Sequence, residues 1–181
     1  MTSMPRSRHV PTSLALALAL AGLALAPPGL AKKTDRQQEM HVDAQHFDGF
    51  QKPNSVSTLS GDVSIVQGTL KASGSKAEVH FDGAGEISRV VITGFPARIE
   101  QPDDHGNLVQ GQARTLDYDN IKGIAVLAGQ ALILQKGRGS ASGDRLTYDT
   151  GTSEMTGESG GDGRVHMTFK PKSAPPTNEP G

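Results

Sequence analysis

An all-β fold built from stacked two-strand repeats is predicted for this 181-residue chain by a recurring phrase, by alternating hydrophobicity and by frequent turn residues. The phrase LAGQALILQ at residues 127–135 recurs as LSGDVSIVQ at 59–67 and, with one inserted residue, as ITGFPARIEQ at 92–101. The glutamines that close the three copies are 34 residues apart in both intervals. A fixed interval of this size is typical of repeat architectures, in which each unit buries its apolar face against its neighbours.

A second phrase lies between these copies and ends in an aromatic residue and an aspartate. It reads VHFD at residues 79–82, LDYD at 116–119 and LTYD at 146–149, with a weaker copy, AQHFD, at 44–48. Apolar and polar residues alternate within the copies, which predicts strands with one apolar and one polar face. Each repeat is therefore predicted to be an aromatic-aspartate strand followed by a glycine-to-glutamine strand.

Turn-forming residues interrupt every stretch between these phrases that could form a long helix. The chain contains 22 glycines, and short strands at this spacing need tight turns in which glycine, asparagine and aspartate are favoured. The turn clusters lie at residues 82–85, 102–107, 119–120, 137–143, 149–151 and 157–163.

The first 31 residues are predicted to be a cleaved export signal. Basic residues precede an uninterrupted run of leucine, alanine and glycine at residues 14–26. This run is shorter than the roughly 20 residues that cross a bilayer. Small residues favour cleavage after Ala31, with Ala26 as the other candidate. If the run were retained instead, it would anchor the chain in a membrane.

The remaining chain divides into three parts. Residues 32–39 are polar and are expected to form a flexible N-terminus, and residues 40–169 fit one β-domain by length. Residues 170–181 carry four prolines without apolar periodicity, which predicts a disordered Pro-rich tail.

Composition excludes several classes of function. The absence of cysteine excludes disulfides, thiol catalysis and thiolate metal sites. Removal of residues 1–31 leaves 16 basic side chains (18 minus Arg6 and Arg8) and 19 acidic ones, a net charge of -3. A nucleic-acid partner would need a clustered basic face, so no nucleic acid is expected.

No catalytic or metal-binding pattern stands out in the sequence. The histidines are scattered, and His41 and His46 are expected on opposite strand faces. The acidic pair Asp103 and Asp104 lies in a turn, where aspartate is favoured for local hydrogen bonds. Residues 137–143 lack the spacing and the following helix of a dinucleotide loop. We therefore expect a protein that is not an enzyme and needs no metal or other cofactor.

Strand parity predicts which side chains face the interior of the domain. Burying about a dozen medium apolar side chains contributes about 20 to 35 kcal/mol before entropy, which is modest against roughly 1 to 2 kcal/mol of backbone entropy per ordered residue. The sheet could therefore close tightly on small side chains, or stay partly open and accept a ligand. The predicted interior set is Leu59, Val63, Ile65, Val79, Phe81, Ile92, Ile99, Leu116, Tyr118, Leu127, Ile133, Leu146 and Tyr148. The predicted outward set is Asp62, Ser64, Glu78, His80, Asp117 and Thr147.

Several short motifs, in order, resemble the OstA-type (LptA) family of periplasmic lipopolysaccharide transport proteins. They are QGTLK at residues 67–71, GFPA at 94–97 and GQA at 111–113, the last followed by Leu116 and Tyr118. The similarity extends over residues 38–169. The glycine-rich segments 137–143 and 153–163 depart from the family pattern, which leaves the docking of the C-terminal strands open.

The resemblance implies a twisted, open, V-shaped β-jellyroll in the periplasm. Its interior set would bind the acyl chains of lipopolysaccharide. Such subunits would associate end to end and bridge an LptC-like partner at the inner membrane and an LptD-like partner at the outer membrane. Two alternatives remain. One is a membrane-tethered LptC-like member of the same system, and the other is a periplasmic glycan-binding or glycan-processing β-protein.

Overall fold

The computed structural model describes residues 35–161 and 163–171, and all of its regular elements are β-strands. The predicted signal peptide and residues 172–181 of the predicted tail lie outside the described residues. The strands are β1 (Met40–Asp43), β2 (His46–Asp48), β3 (Val56–Gln67), β4 (Leu70–Phe81), β5 (Ile87–Pro102), β6 (Leu108–Asp119), β7 (Ile124–Gln135), β8 (Gly139–Asp149), β9 (Met155–Glu158) and β10 (His166–Phe169).

The six long strands, β3 to β8, form an antiparallel meander in chain order. At one edge, β1 and β2 both pair with β3, one on each half of that strand. At the other edge, β10 pairs with the first half of β8 and β9 pairs with its second half. The predicted all-β fold is confirmed as an open β-jellyroll. The glycine-to-glutamine phrases lie in β3, β5 and β7, and the aromatic-aspartate phrases end β4, β6 and β8.

The recurring aspartates begin the turns at one end of these strands. Asp82 Oδ1 accepts hydrogen bonds from the backbone N–H groups of Ala84 and Glu86, at 2.8 and 2.9 Å. Asp119 and Asp149 each accept two backbone N–H groups in the same way, two and three residues further on. These are the local turns that an aspartate side chain stabilises. The repeated aspartate therefore fixes where each hairpin reverses.

The recurring glycines lie where the strands bend. The strand register shifts between Ser60 and Val63 in β3, and all four following ladders shift at the corresponding place. Gly61 and Gly129 have φ of 79°, a backbone conformation that favours glycine. Such β-bulges bend a strand. Aligned across the sheet they form a bend line, with an aspartate half on one side and a glutamine half on the other.

The two halves pack face to face across this bend line. Gly111 lies in the glutamine half and pairs with Ile133, which is six residues from Leu127 along β7. In a straight strand those six residues would span about 20 Å. A methyl group added to Gly111 would nevertheless lie 2.8 Å from Cδ2 of Leu127. The sheet is therefore folded onto itself, and the apolar faces of both halves form one core.

Candidate functional site

The core between the halves is continuous from the first long strand to the last. One row of cross-strand neighbours crosses the aspartate half and contributes one apolar side chain from each of the six strands. With neighbouring strands about 4.8 Å apart, its five steps span about 24 Å. The row consists of Leu59, Ala77, Ile92, Leu116, Leu127 and Leu146.

Twelve of the thirteen predicted interior side chains are exposed by 9% or less, and Phe81 is half-buried against the same core. The predicted outward residues Ser64, Glu78, His80, Asp117 and Thr147 are half-buried on the opposite face, and Asp62 is exposed at a bulge. Parity placed these side chains correctly on both sides of the bend line because each half keeps its own two-residue alternation.

The centre of the core is closed. The space between the halves there is a cavity of about 20 Å³, lined by Ile99, Gly111, Leu127 and Ile133 among others. Such a volume holds no more than about one water molecule. Small side chains allow the halves to approach this closely, since the buried set includes Ala72, Ala77, Ala97, Ala113, Ala125, Ala131 and Ala141. At the centre, the tightly closed alternative is the one observed.

Both ends of the core open to solvent. At the β1 and β2 edge, a cleft of about 850 Å³ reaches apolar side chains of both the edge strands and the core, including Met40, Val42, Leu59, Val79 and Phe81. Polar residues surround its mouth. At the β9 and β10 edge, a cleft of about 390 Å³ is lined by Met155, Met167 and Phe169. The apolar interior is thus accessible from its ends.

Each half of the sheet has a free rim, formed by the turns at its outer strand ends. Residues 35–38 lie across the seam where the two rims meet. Asp35 is only 5% exposed and accepts hydrogen bonds from Thr69 and from Gln101 Nε2, the latter at 2.8 Å. Both partners belong to the rim of the glutamine half. Arg36 donates to the backbone carbonyl of Ile121 at 3.1 Å, on the rim of the aspartate half. Residues 35–38 therefore connect the two rims.

The recurring glutamines face this seam from the inside. Gln67 is 4% exposed and donates to the carbonyl oxygens of Arg36 and Gln38, both at 3.3 Å. Gln101 is 5% exposed. Sequence reasoning predicted a flexible N-terminus over residues 32–39, and the structure differs for Asp35 and its neighbours. A polar segment that docks onto a rim has no apolar periodicity, so no local sequence signal could have found it.

The two tyrosines of the chain lie inside the core. Tyr118 and Tyr148 are 4% and 6% exposed, so neither offers an exposed platform for a sugar ring. Burial raises the pKa of both hydroxyls, and the nearby Thr150 hydroxyl partly offsets this at Tyr118. The interior therefore strongly favours uncharged groups.

The outer faces carry paired charges. Lys71 lies 3.6 Å from Glu100, and Lys76 lies 2.8 Å from Glu78, where its hydrogen bond lowers the pKa of the Glu78 carboxyl. In residues 35–161 and 163–171, no three histidine, aspartate or glutamate side chains come together as a metal site. That part of the chain also contains no helix long and apolar enough to span a membrane.

Comparison with known proteins gives a consistent result. Residues 41–154 match the family described as "LptA/(LptD N-terminal domain) LPS transport protein". The lipopolysaccharide export system protein LptA of Escherichia coli K12 is 32% identical over 171 residues, which cover 93% of this chain and 91% of that protein. The corresponding export system protein LptH of Pseudomonas aeruginosa is 31% identical over 122 residues, covering 67% of this chain and 69% of that protein.

The fold is also similar to a solved structure. The crystal structure of LptH from Pseudomonas aeruginosa, described as the LptA-homologous periplasmic component of a lipopolysaccharide transport device, aligns with a TM-score of 0.69 at 26% identity. The alignment covers 76% of this chain and 99% of that chain.

Proposed function

Because the chain belongs to the LptA/LptD N-terminal domain family of lipopolysaccharide transport proteins, we propose that it carries lipopolysaccharide through the periplasm within its apolar interior. The acyl chains lie between the two halves of the sheet, and the sugars stay in water. The role is non-enzymatic, since only transfer between aqueous and apolar surroundings is needed.

The observation that supports this proposal best is the continuity of the interior. The apolar row crosses all six long strands, and the core opens into clefts at both edges of the sheet. A domain that needed a core only for its own stability would gain nothing from leaving both ends of that core open.

The closed centre means that acyl chains enter by separating the two halves at their rims, with the bend line as the hinge. Separation removes contacts between apolar side chains, and the acyl chains restore contacts of the same kind. Each acyl methylene taken out of water contributes about 0.8 kcal/mol, so a chain of about a dozen carbons contributes on the order of 10 kcal/mol. That gain is large enough to hold a lipid in water without covalent chemistry.

Neighbouring residues of β7 provide a matched test. Ile133 is 1% exposed and faces the interior, while Leu134 is equally apolar but 44% exposed on the outer face. A photo-crosslinking amino acid at position 133 is expected to label purified lipopolysaccharide, and the same group at position 134 is not. Position 65 on β3, with position 64 as its control, extends the test to the other end of the interior. Labelling only at 134 and 64 would contradict the proposed location of the acyl chains.

The free edges of the sheet favour end-to-end assembly. The β1 and β2 edge and the β9 and β10 edge each leave a strand side unpaired within the described residues. Exposed aromatic side chains accompany both, with Phe47 at 63% on β2 and Phe169 at 76% on β10. Unpaired edges accept further strands. We therefore place the chain in a periplasmic bridge of like subunits between an LptC-like inner-membrane partner and an LptD-like outer-membrane partner.

Lysine at both exposed positions tests this assembly. Phe47→Lys and Phe169→Lys are expected to weaken self-association with little effect on the monomer's stability, because both rings are mostly exposed to water. Light scattering over a concentration series measures the association. Phe95→Lys is the control, since Phe95 is 92% exposed but lies at the bend line of β5. Equal association of all the variants and the unmodified protein would contradict the proposed edges.

A further inference from the structure

We propose that residues 35–38 are a releasable latch across the seam, and that Gln67 and Gln101, which hold the latch, bind the amide and hydroxyl groups at the base of the acyl chains once it leaves. This inference rests on the proposed function and names the contacts that control lipid entry. The latch is the segment between the two rims, and the seam is the line it covers.

The latch lies across a path by which a lipid could keep its sugars outside while its chains lie between the two halves. Asp35 is hydrogen-bonded to Thr69 and Gln101 on the glutamine rim, and Arg36 to Ile121 on the aspartate rim. While these contacts hold, the rims cannot separate around the N-terminal part of the seam. A lipid entering sideways must first displace them.

The latch is attached in a way that permits release. Its four side chains are polar, and only Asp35 is buried, while Arg36 is half-buried and Gln37 and Gln38 are exposed. No apolar side chain anchors it in the core. Its attachment consists of hydrogen bonds, which water or a polar ligand can replace with little net change.

The glutamines beneath the latch have unused hydrogen-bonding capacity. The side-chain oxygens of Gln67 and Gln101 are buried and have no hydrogen-bond partner among the described residues. Among the described residues, their amide nitrogens donate only to the latch: Gln67 donates to Arg36 and Gln38, and Gln101 donates to Asp35. Buried polar atoms are normally paired. An amide N–H or a hydroxyl at the base of an acyl chain would supply the missing donor, and an ester or amide carbonyl would replace the latch as acceptor.

The absence of cysteine makes the latch directly testable. Asp35→Cys with Thr69→Cys holds the latch over Gln67 and Gln101 under oxidation, at a place where the side chains of residues 35 and 69 already meet, so the latch cannot leave the glutamines. Lys71→Cys with Glu100→Cys is the matched control, because these residues face each other across β4 and β5 within one half. Both pairs are combined with the photo-crosslinker at position 133.

Oxidation of the cysteine pair at positions 35 and 69 is expected to reduce lipopolysaccharide labelling at position 133 at least tenfold. Reduction of that disulfide is expected to restore the labelling. Oxidation of the control pair is expected to leave labelling unchanged. Equal labelling at position 133 in the oxidised and reduced forms of this variant would overturn the latch proposal while leaving the proposed function intact. Absence of labelling in the reduced protein and the unpaired parent would instead reject the proposed function.

A second set of variants tests the glutamines. Asp35→Ala releases the latch but keeps both glutamines, so lipopolysaccharide is expected to load several-fold faster than in the unmodified protein. Adding Gln67→Met and Gln101→Met, which keep side-chain length but remove the amides, is expected to speed dissociation of loaded lipopolysaccharide at least threefold. Unchanged dissociation would overturn the role of the glutamines as lipid ligands.

Discussion

The packing of the two halves predicts an energetic coupling between Gly111 and Leu127, which a double-mutant cycle measures. These residues lie on opposite sides of the bend line and meet only because the sheet is folded onto itself. Gly111 has room for a hydrogen atom on its Cα but not for a methyl group. An added methyl group would lie 2.8 Å from Leu127 Cδ2 and 2.9 Å from Ile99 Cγ2. The φ of Gly111 is outside the left-handed region, so alanine there meets crowding without backbone strain.

The expected magnitudes follow from these distances. Leu127→Ala removes a side chain that is 1% exposed, and it should lower the free energy of unfolding by about 2 to 5 kcal/mol. Gly111→Ala overfills the same place and should lower it by about 1 to 3 kcal/mol. In the double variant, the new methyl group occupies part of the space left by Leu127. The combined loss should therefore be smaller than the sum of the two by at least about 1 kcal/mol.

Urea unfolding followed by circular dichroism supplies the four free energies, with equal m-values as the check that the unfolded states are comparable. Gly83→Ala replaces Gly111→Ala in a control cycle, because Gly83 lies in an exposed turn where an added methyl group has only Asn54 Oδ1 within 4 Å, at 3.9 Å. The control cycle should be additive within about 0.5 kcal/mol. If the Gly111 and Leu127 cycle were equally additive, the face-to-face packing of the two halves would be refuted.

Two further predictions concern single residues. Asp119→Ala removes two hydrogen bonds to backbone N–H groups in a turn and should cost about 1 to 3 kcal/mol of stability in urea unfolding. Asp117→Ala, its control in the same strand, breaks only a partly exposed ion pair with Arg89 and should cost about 0 to 1 kcal/mol; an equal loss in both would argue against the turn role. Burial raises the pKa of Tyr118 and Tyr148 above the ordinary value of 10.0. The stability gained by keeping these hydroxyls neutral is therefore complete below that pH and is lost as pH rises through the folded-state values. Tyrosinate absorbance should titrate at higher pH in folded than in urea-unfolded protein, and coincident curves would show that the two rings are solvated.

Much of the fold could be predicted because the repeat encodes it locally. The glycine of each repeat marks the bend line. The glutamine lies where its strand ends at one rim, and the aspartate begins a turn at the opposite rim. Alternation assigned the interior side chains because a strand has a two-residue period whatever its neighbours are. The glycine-rich segment 137–143 was harder to interpret. The structure resolves it into a turn and the start of β8, where Gly139 is required because Thr168 of β10 approaches its backbone closely.

The sequence by itself determined the strands, their order along the chain, which face of each strand is apolar, and the resemblance to a lipopolysaccharide transport family. Only the tertiary structure decided that the two apolar faces meet with a cavity of about 20 Å³ between them, and that Asp35 and Arg36 join the rims of the seam. The physical reason is the distance along the chain between the residues that determine each feature. Strand patterns depend on neighbours a few residues apart, whereas the contact of Gly111 with Leu127 and that of Asp35 with Gln101, 66 residues away, depend on how the whole sheet bends.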